Sequence, residues 1–387
     1  MSASLNTDDI LERTATMDAR STAFSPLTDL ELNDIIISIQ NIIPTTANID
    51  YDELRTLLSE IGHLSHKDWA RTGESSERIG RVLFPEGMCF NTRQMLSRIL
   101  DEGNWNAAEK HATEQLTIDM PWAVLVTGVN GIRKTTSMYQ PWFQELLAEA
   151  LTAPDDGPTT TIVRAALPCG DNSFFRQLDH MIATLCNEDF SQLYALTGKD
   201  LKEGEEPSKE LIQKYSNLKA AIFTRYRTLS ELLGVWLLRE AQKLKTNCMM
   251  ETSGRDVAMF HYVDHFFPKH YKKLALHFTI NDLSCAQQSV DARMVTELKD
   301  GIQALKSKDV FKVVYANAGG PYGSEVLAGV QEASDQVWNE VVMKGDQVGQ
   351  DWYKATIAIH AHPTEPWSAQ AVRPDGSLGK KFVFENR

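Results

Sequence analysis

The chain has 387 residues, which at about 150 per domain suggests two or three folding units. Hydrophobic residues at 42% and charged residues at 24% match an ordinary globular protein and exclude a mostly disordered chain or a fibrous repeat. The 52 acidic side chains against 39 basic ones leave a net charge of −13, which repels polyanions and argues against nucleic acid as a partner, while leaving room for a local basic pocket.

Residues 1–25 are polar and rich in Ser, Thr and Asp, and read as a mobile lead-in without the apolar core of a signal peptide. No run reaches the ~18 to 20 apolar residues that a bilayer requires, so no membrane partner is expected. Cys89, Cys169, Cys186, Cys248 and Cys285 are odd in number, widely spread and without a CxxC pair. That pattern disfavours a disulfide framework or a zinc ribbon, and points to reduced thiols in a cytoplasmic protein.

Residues 26–119 read as a helical N-terminal domain. In DLELNDIIISIQNII, apolar side chains fall at Leu32, Ile35, Ile36, Ile39 and Ile43, the spacing of one helix face. From residue 120 to 387 the pattern becomes that of an α/β domain. WAVLVTG is a continuous apolar run of strand length, as expected for a strand buried on both faces of a parallel sheet. Further strands are expected at 161–167, 247–252, 273–280 and 310–316, with another at 355–362. Helical segments at 137–151 and 173–186 alternate with them, which predicts a doubly wound parallel sheet. A helical insertion is expected at about 188–245, where Ile222, Tyr226, Leu229, Leu233 and Trp236 or Leu237 form a packing stripe. The tail from residue 363 reads as turns before a short FVF segment.

Chemistry concentrates in GVNGIRKTTS, residues 128–137, between the first strand and a helix. A phosphate-binding loop of the form G-x-x-x-x-G-K-[ST] needs small residues so that amides wrap the β-phosphate, a Lys for the β and γ oxygens, and a hydroxyl for Mg²⁺. Gly128, Lys134 and Thr135 stand at those positions, with Asn130, Gly131, Ile132 and Thr136 completing the loop and Arg133 where glycine is expected. The competing reading is an ordinary strand-to-helix turn with solvated cations, although two cations at a helix start are easier to understand beside an anion. A second constellation, METSGRD, ends the strand at 247–252 and offers Glu251, Thr252 and Arg255 to the same crevice, for Mg²⁺ through water, a hydroxyl or a substrate anion. Asp171, after the strand expected at 161–167, is either the carboxylate that accepts an acceptor's hydroxyl proton or a helix cap. Arg293 is either a lid cation or half of a surface ion pair with Glu297. His360 and His362 share a strand face, but no third metal ligand accompanies them.

Together GVNGIRKTT, ETSGR, KLALHFTI and SVDAR, across residues 122–316, resemble the zeta-toxin group of P-loop kinases. That resemblance implies a P-loop kinase fold that transfers the γ-phosphoryl of ATP, with Mg²⁺, to a hydroxyl of a small molecule, a UDP-amino sugar in the toxin's case. It implies Lys134 and Thr135 on the phosphates and Mg²⁺, Asp171 as base, Glu251, Thr252 and Arg255 on the substrate, and Arg293 acting from a lid. Arg133 and the ETSGR spacing depart from the family pattern. The alternatives are a nucleotide-binding regulatory or scaffold protein whose N-terminal helices recruit a protein partner, and a nucleoside-triphosphate hydrolase.

Overall fold

The computed structural model describes residues 24–43, 48–114, 120–151, 167–199, 201, 205–345 and 348–385. The lead-in expected at 1–25 and the strand expected at 161–167 lie almost wholly outside them. The chain divides into two compact units woven from alternating stretches, one from Met1–Ile99, Leu178–Leu237 and Asp291–Gly323, the other from Leu100–Gln177, Leu238–Val290 and Ser324–Arg387.

The first unit is helical. Its Asp29–Ile42 helix starts at a reciprocal cap, in which the Glu31 amide donates to Thr28 Oγ1 at 3.3 Å and the Thr28 amide donates to Glu31 Oε2 at 2.8 Å. Leu32, Ile35, Ile39 and Ile42 form its buried face. Glu31 also receives Arg225 in a fork, Nε to Oε1 at 2.6 Å and Nη2 to Oε2 at 2.8 Å, with both side chains buried. This pair ties the amino-terminal helix to the Lys209–Arg225 helix, so the N-terminal segment and the expected insertion share one core instead of forming separate bodies. In the same unit Lys219 Nζ meets Glu297 Oε2 at 2.6 Å, both side chains fully buried. The Tyr215 hydroxyl (3.1 Å) and the Ala318 amide (2.9 Å) also donate to the Glu297 carboxylate. Burial pulls the Lys219 ammonium down to about 8, against the upward pull of Glu297.

Residues 310–316, expected as a strand, form the helix Val310–Ala316. Asp309 caps it by accepting from the Phe311 amide, and Val313, Val314 and Ala316 are buried while Lys312 and Tyr315 face out. That is the burial of a helix face, which a run of apolar residues this short does not distinguish from a strand.

The second unit is built on one sheet. Its strands are β1 (Trp122–Thr127), β2 (Ser173–Arg176), β3 (Asn247–Glu251), β4 (Lys272–Ile280), β5 (Tyr353–His360), β6 (Ser368–Val372) and β7 (Phe382–Val383), in the order β2-β3-β1-β4-β5-β6-β7. The first five run parallel, and β6 and β7 add antiparallel. The fold is therefore α/β with a mostly parallel sheet, but two expectations are corrected. Ser173–Arg176, expected to open a helix, is an edge strand paired with β3, the helix starting only at Leu178; and the tail beyond residue 363 supplies β6 where only turns were expected, with β7 formed from the FVF segment. Both segments become strands through ladder partners distant in sequence, which local periodicity does not register.

Every residue of β1 is buried. One face of the sheet carries Val124, Val126, Leu274, Leu276 and Phe278 into a core completed by Phe143, Leu146, Leu147 and Val290. After β1 the chain moves out to β2, whereas its neighbours β3 and β4 send it the opposite way, so the strand order reverses at β1. The crevice outside the carboxyl end of such a strand is where open α/β sheets take ligands. Among the described residues, no helix is long and apolar enough to cross a membrane.

Candidate functional site

The turn leaving β1 is shaped by two glycines. Gly128 has φ +128°, and a Cβ there would come within 2.6 Å of the Phe278 carbonyl oxygen; Gly131 has φ +83°, and a Cβ would come as close to that of Ala286. Neither position accepts a side chain without moving main chain. Arg133, where the loop pattern has glycine, adopts φ 63° and ψ 30°, the left-handed region that other residues can enter at modest cost. The expected steric obstacle is therefore small.

Lys134 opens the next helix and is buried. Its ammonium spends three donors, on the carbonyls of Gly128 (2.8 Å) and Val129 (2.7 Å) and on Glu251 Oε1 at 3.0 Å. The Thr135 hydroxyl donates to the other Glu251 oxygen at 3.1 Å. Glu251 ends β3 opposite Val126 of β1, so the pairing of two parallel strands delivers its carboxylate to the turn. The Thr252 amide donates to the Val126 carbonyl at 2.9 Å and the Gly128 amide to the Ser253 carbonyl at 3.3 Å, fastening the two strand exits together. The residues quoted from GVNGIRKTT and METSGRD thus meet at one edge of the sheet. Asn130 is half-buried, Ile132 fully buried, Thr136 exposed, and Arg255 stands exposed on the same loop as Thr252.

Asp171 is elsewhere. It lies in the turn that enters β2, two residues before Ser173, which pairs with Asn247 at the first rung of β3. Glu251 ends that strand, roughly 13 Å further along at ~3.3 Å per residue. Asp171 is thus at the amino-terminal edge of the sheet while Lys134 follows the carboxyl-terminal edge, which removes the premise for it as base. It does not cap a helix either: Asn172 organises the turn, accepting from the Cys169 amide at 2.9 Å and donating to the Leu167 carbonyl at 2.8 Å.

Arg293 belongs to the helical unit, where Nη2 donates to the Gly320 carbonyl at 2.9 Å and Nε lies 3.5 Å from Glu297 Oε1. The expected ion pair with Glu297 forms, but on a fully buried carboxylate that Lys219 shares instead of on the surface.

Two features of the sheet unit escape the sequence. Arg133 places its guanidinium 4.4 Å over the Trp367 ring and 5.3 Å from that of Phe384, aromatics of the tail with no sequence-local link to the loop. On the other face of the sheet, Thr127 Oγ1 lies 2.9 Å from His277 Nδ1, and His277 Nε2 lies 3.1 Å from Asp335 Oδ1, the imidazole stacking on Trp338 at 4.8 Å. A lone His inside KLALHFTI gives no signal of this. Among the described residues no group of three or more His, Cys, Asp or Glu gathers as a metal site, His360 and His362 included.

No family model matches this chain, and neither the curated proteins nor the solved structures contain a match to it.

Proposed function

We propose that the chain binds a magnesium nucleoside triphosphate, ATP in the first instance, at the 128–136 turn and transfers the γ-phosphoryl group to a hydroxyl of a small acceptor, a nucleotide sugar or another anionic metabolite, in the cytoplasm. One arrangement carries the reading: an ammonium and a hydroxyl, from Lys134 and Thr135, bracket the Glu251 carboxylate outside the carboxyl ends of two adjacent parallel strands. The donor set suits Mg²⁺, which takes one or two protein oxygens and leaves its other positions to phosphate and water. Thr135 Oγ1 and Glu251 Oε2, 3.1 Å apart, supply such oxygens. When bound, the ion neutralises and orients the phosphate oxygens.

In this reading Lys134 exchanges Glu251 for the β and γ oxygens. Thr252 and Arg255 hold the acceptor, and Glu251, the carboxylate at this edge, takes the place expected of Asp171 as the group nearest the reacting hydroxyl. The placement of Asp171 and the pairing of Arg293 favour a second reading, a nucleotide-binding regulator with weak or no transfer whose helical unit engages a protein partner. ATP consumption measured across a panel of nucleotide sugars and polyols separates them. Acceptor-dependent turnover that disappears in Lys134→Ala supports the kinase, nucleotide binding without turnover supports the regulator, and turnover without any acceptor replaces both with a hydrolase.

A further inference from the structure

Arg133 is the departure from the loop pattern, and its surroundings give it a task. A residue with a side chain holds the left-handed conformation there, next to Lys134 in sequence. Its guanidinium rests against Trp367 and Phe384. Those rings are themselves fixed: Trp367 Nε1 donates to the His362 carbonyl at 3.1 Å, and Phe384 packs edge-on against Trp142 at 5.3 Å between centroids.

Among the described residues no carboxylate pairs with the Arg133 guanidinium and no acceptor meets its N–H donors. The side chain is exposed as a whole, and the partial desolvation of its guanidinium lowers its pKa. Aromatic rings take the face of a guanidinium and leave its donors, which lie in its plane, pointing sideways. Lys134 is matched by the Glu251 carboxylate, whereas Arg133, next to it in sequence, adds a positive charge that no described carboxylate pairs with and that a phosphate chain would balance. A planar donor fork fits phosphate oxygens better than a ribose or an apolar group.

We propose that Arg133 is a phosphate-binding arm of this site, kept edge-on to the ligand by Trp367 and Phe384, which act as positioning residues. The proposal rests on the nucleotide reading above and adds to it which cation replaces the missing glycine and what holds it.

The test is calorimetric titration of the full chain with Mg-ATP, Mg-ADP and magnesium tripolyphosphate. If the wild-type chain binds none of them, the nucleotide reading falls and this proposal with it. Given wild-type binding, Arg133→Ala should weaken all three ligands about tenfold or more, the loss expected for a charge-assisted contact. Arg133→Gly, which takes the left-handed backbone without strain, should show the same loss with its melting temperature within ~2 °C of wild type. Trp367→Leu should weaken binding too, and the Arg133→Ala/Trp367→Leu double variant should be no weaker than Arg133→Ala alone, because both changes remove one contact. The proposal is overturned, with the nucleotide reading left standing, by any of three results: Arg133 variants that bind as wild type, ATP and ADP weakened while tripolyphosphate is not, or losses that add in the double variant. The second result would make Arg133 a platform for the base.

Discussion

Glu251→Gln probes the candidate site most directly, because the proposed function gives the Glu251 carboxylate two roles of opposite sign for a bound phosphate chain. Without ligand it satisfies Lys134 at 3.0 Å, across side chains 3% and 31% exposed. Breaking a fully buried pair costs ~3–5 kcal/mol and an exposed one ~0–1 kcal/mol. This half-open pair falls between, at about 1–2 kcal/mol. The amide variant keeps an oxygen that accepts from Lys134 but removes the negative charge, leaving the ammonium among neutral acceptors, and a triphosphate then restores what was lost. In EDTA, ATP or tripolyphosphate should therefore bind the variant about 5–30-fold more tightly than the wild type. With Mg²⁺ the carboxylate becomes an asset, so the ion should strengthen wild-type binding far more than that of the variant and shrink or reverse the order. Calorimetric titrations with and without Mg²⁺ read both effects. An unchanged or weaker affinity of the variant in EDTA, or equal strengthening of both proteins by Mg²⁺, would refute the idea that Glu251 alternates between Lys134 and a magnesium ion on the phosphates.

Lys134→Ala should weaken nucleotide binding and slow turnover together, since in the proposed kinase the ammonium contacts phosphate in the ground and transition states alike; a change confined to either parameter would contradict that role. Asp171→Asn should leave both turnover and nucleotide affinity at wild-type values, and a fall in kcat would return Asp171 to the mechanism against its position at the opposite sheet edge. In the helical unit, Glu297→Gln should cost ~3–5 kcal/mol in urea unfolding, because it strands a fully buried ammonium. Lys219→Met should cost less, because Glu297 keeps the Tyr215 and Ala318 donors; the reverse order would be inconsistent with this pairing. The Lys219 ammonium titrates at about 8 when folded against an ordinary 10.5, so between those values the unfolded chain holds the extra proton. Stability should rise between pH 8 and 10 in the wild type relative to Lys219→Met, and parallel pH profiles would show that Lys219 does not carry this linkage.

How much of this was legible in the sequence depended on how locally each feature is encoded. β1 and β4 were readable because strands buried on both faces are written as unbroken apolar runs, and the turn after β1 because its Gly, Lys and Thr lie within a few residues of one another. Glu251 was placed correctly once NCMME was taken as a strand, since an acid at a strand's last position points to the edge where strand exits gather. Asp171 was misplaced because SFFR, read as the start of a helix, is an edge strand that follows Asp171, made so by a ladder partner distant in sequence. The VFKVVYA helix was missed because seven residues hold barely two turns, too few for a 3.6-residue period to stand out from a period of two. His277 and Trp367 acquire their partners through strand register and tail return, and neither leaves a mark on neighbouring residues.

Arg133 also shows why a departure from a motif is better weighed in three dimensions than in the alignment of letters. The three loop positions at issue are not equivalent: Gly128 and Gly131 each abut a main-chain carbonyl at a distance no Cβ tolerates, whereas position 133 only asks for a left-handed turn. Glycine at 133 would be a conformational convenience, and at the other two positions it is a steric necessity. A side chain at 133 costs a small backbone strain, and strain of that kind persists only where the surroundings hold it in place. Here Trp367 and Phe384 hold it. The feature that makes the loop look imperfect as a string is thus one its own unit has built a support for, and a supported cation next to Lys134 in sequence, without an anionic partner among the described residues, is harder to reconcile with an idle turn than with one that holds an anion.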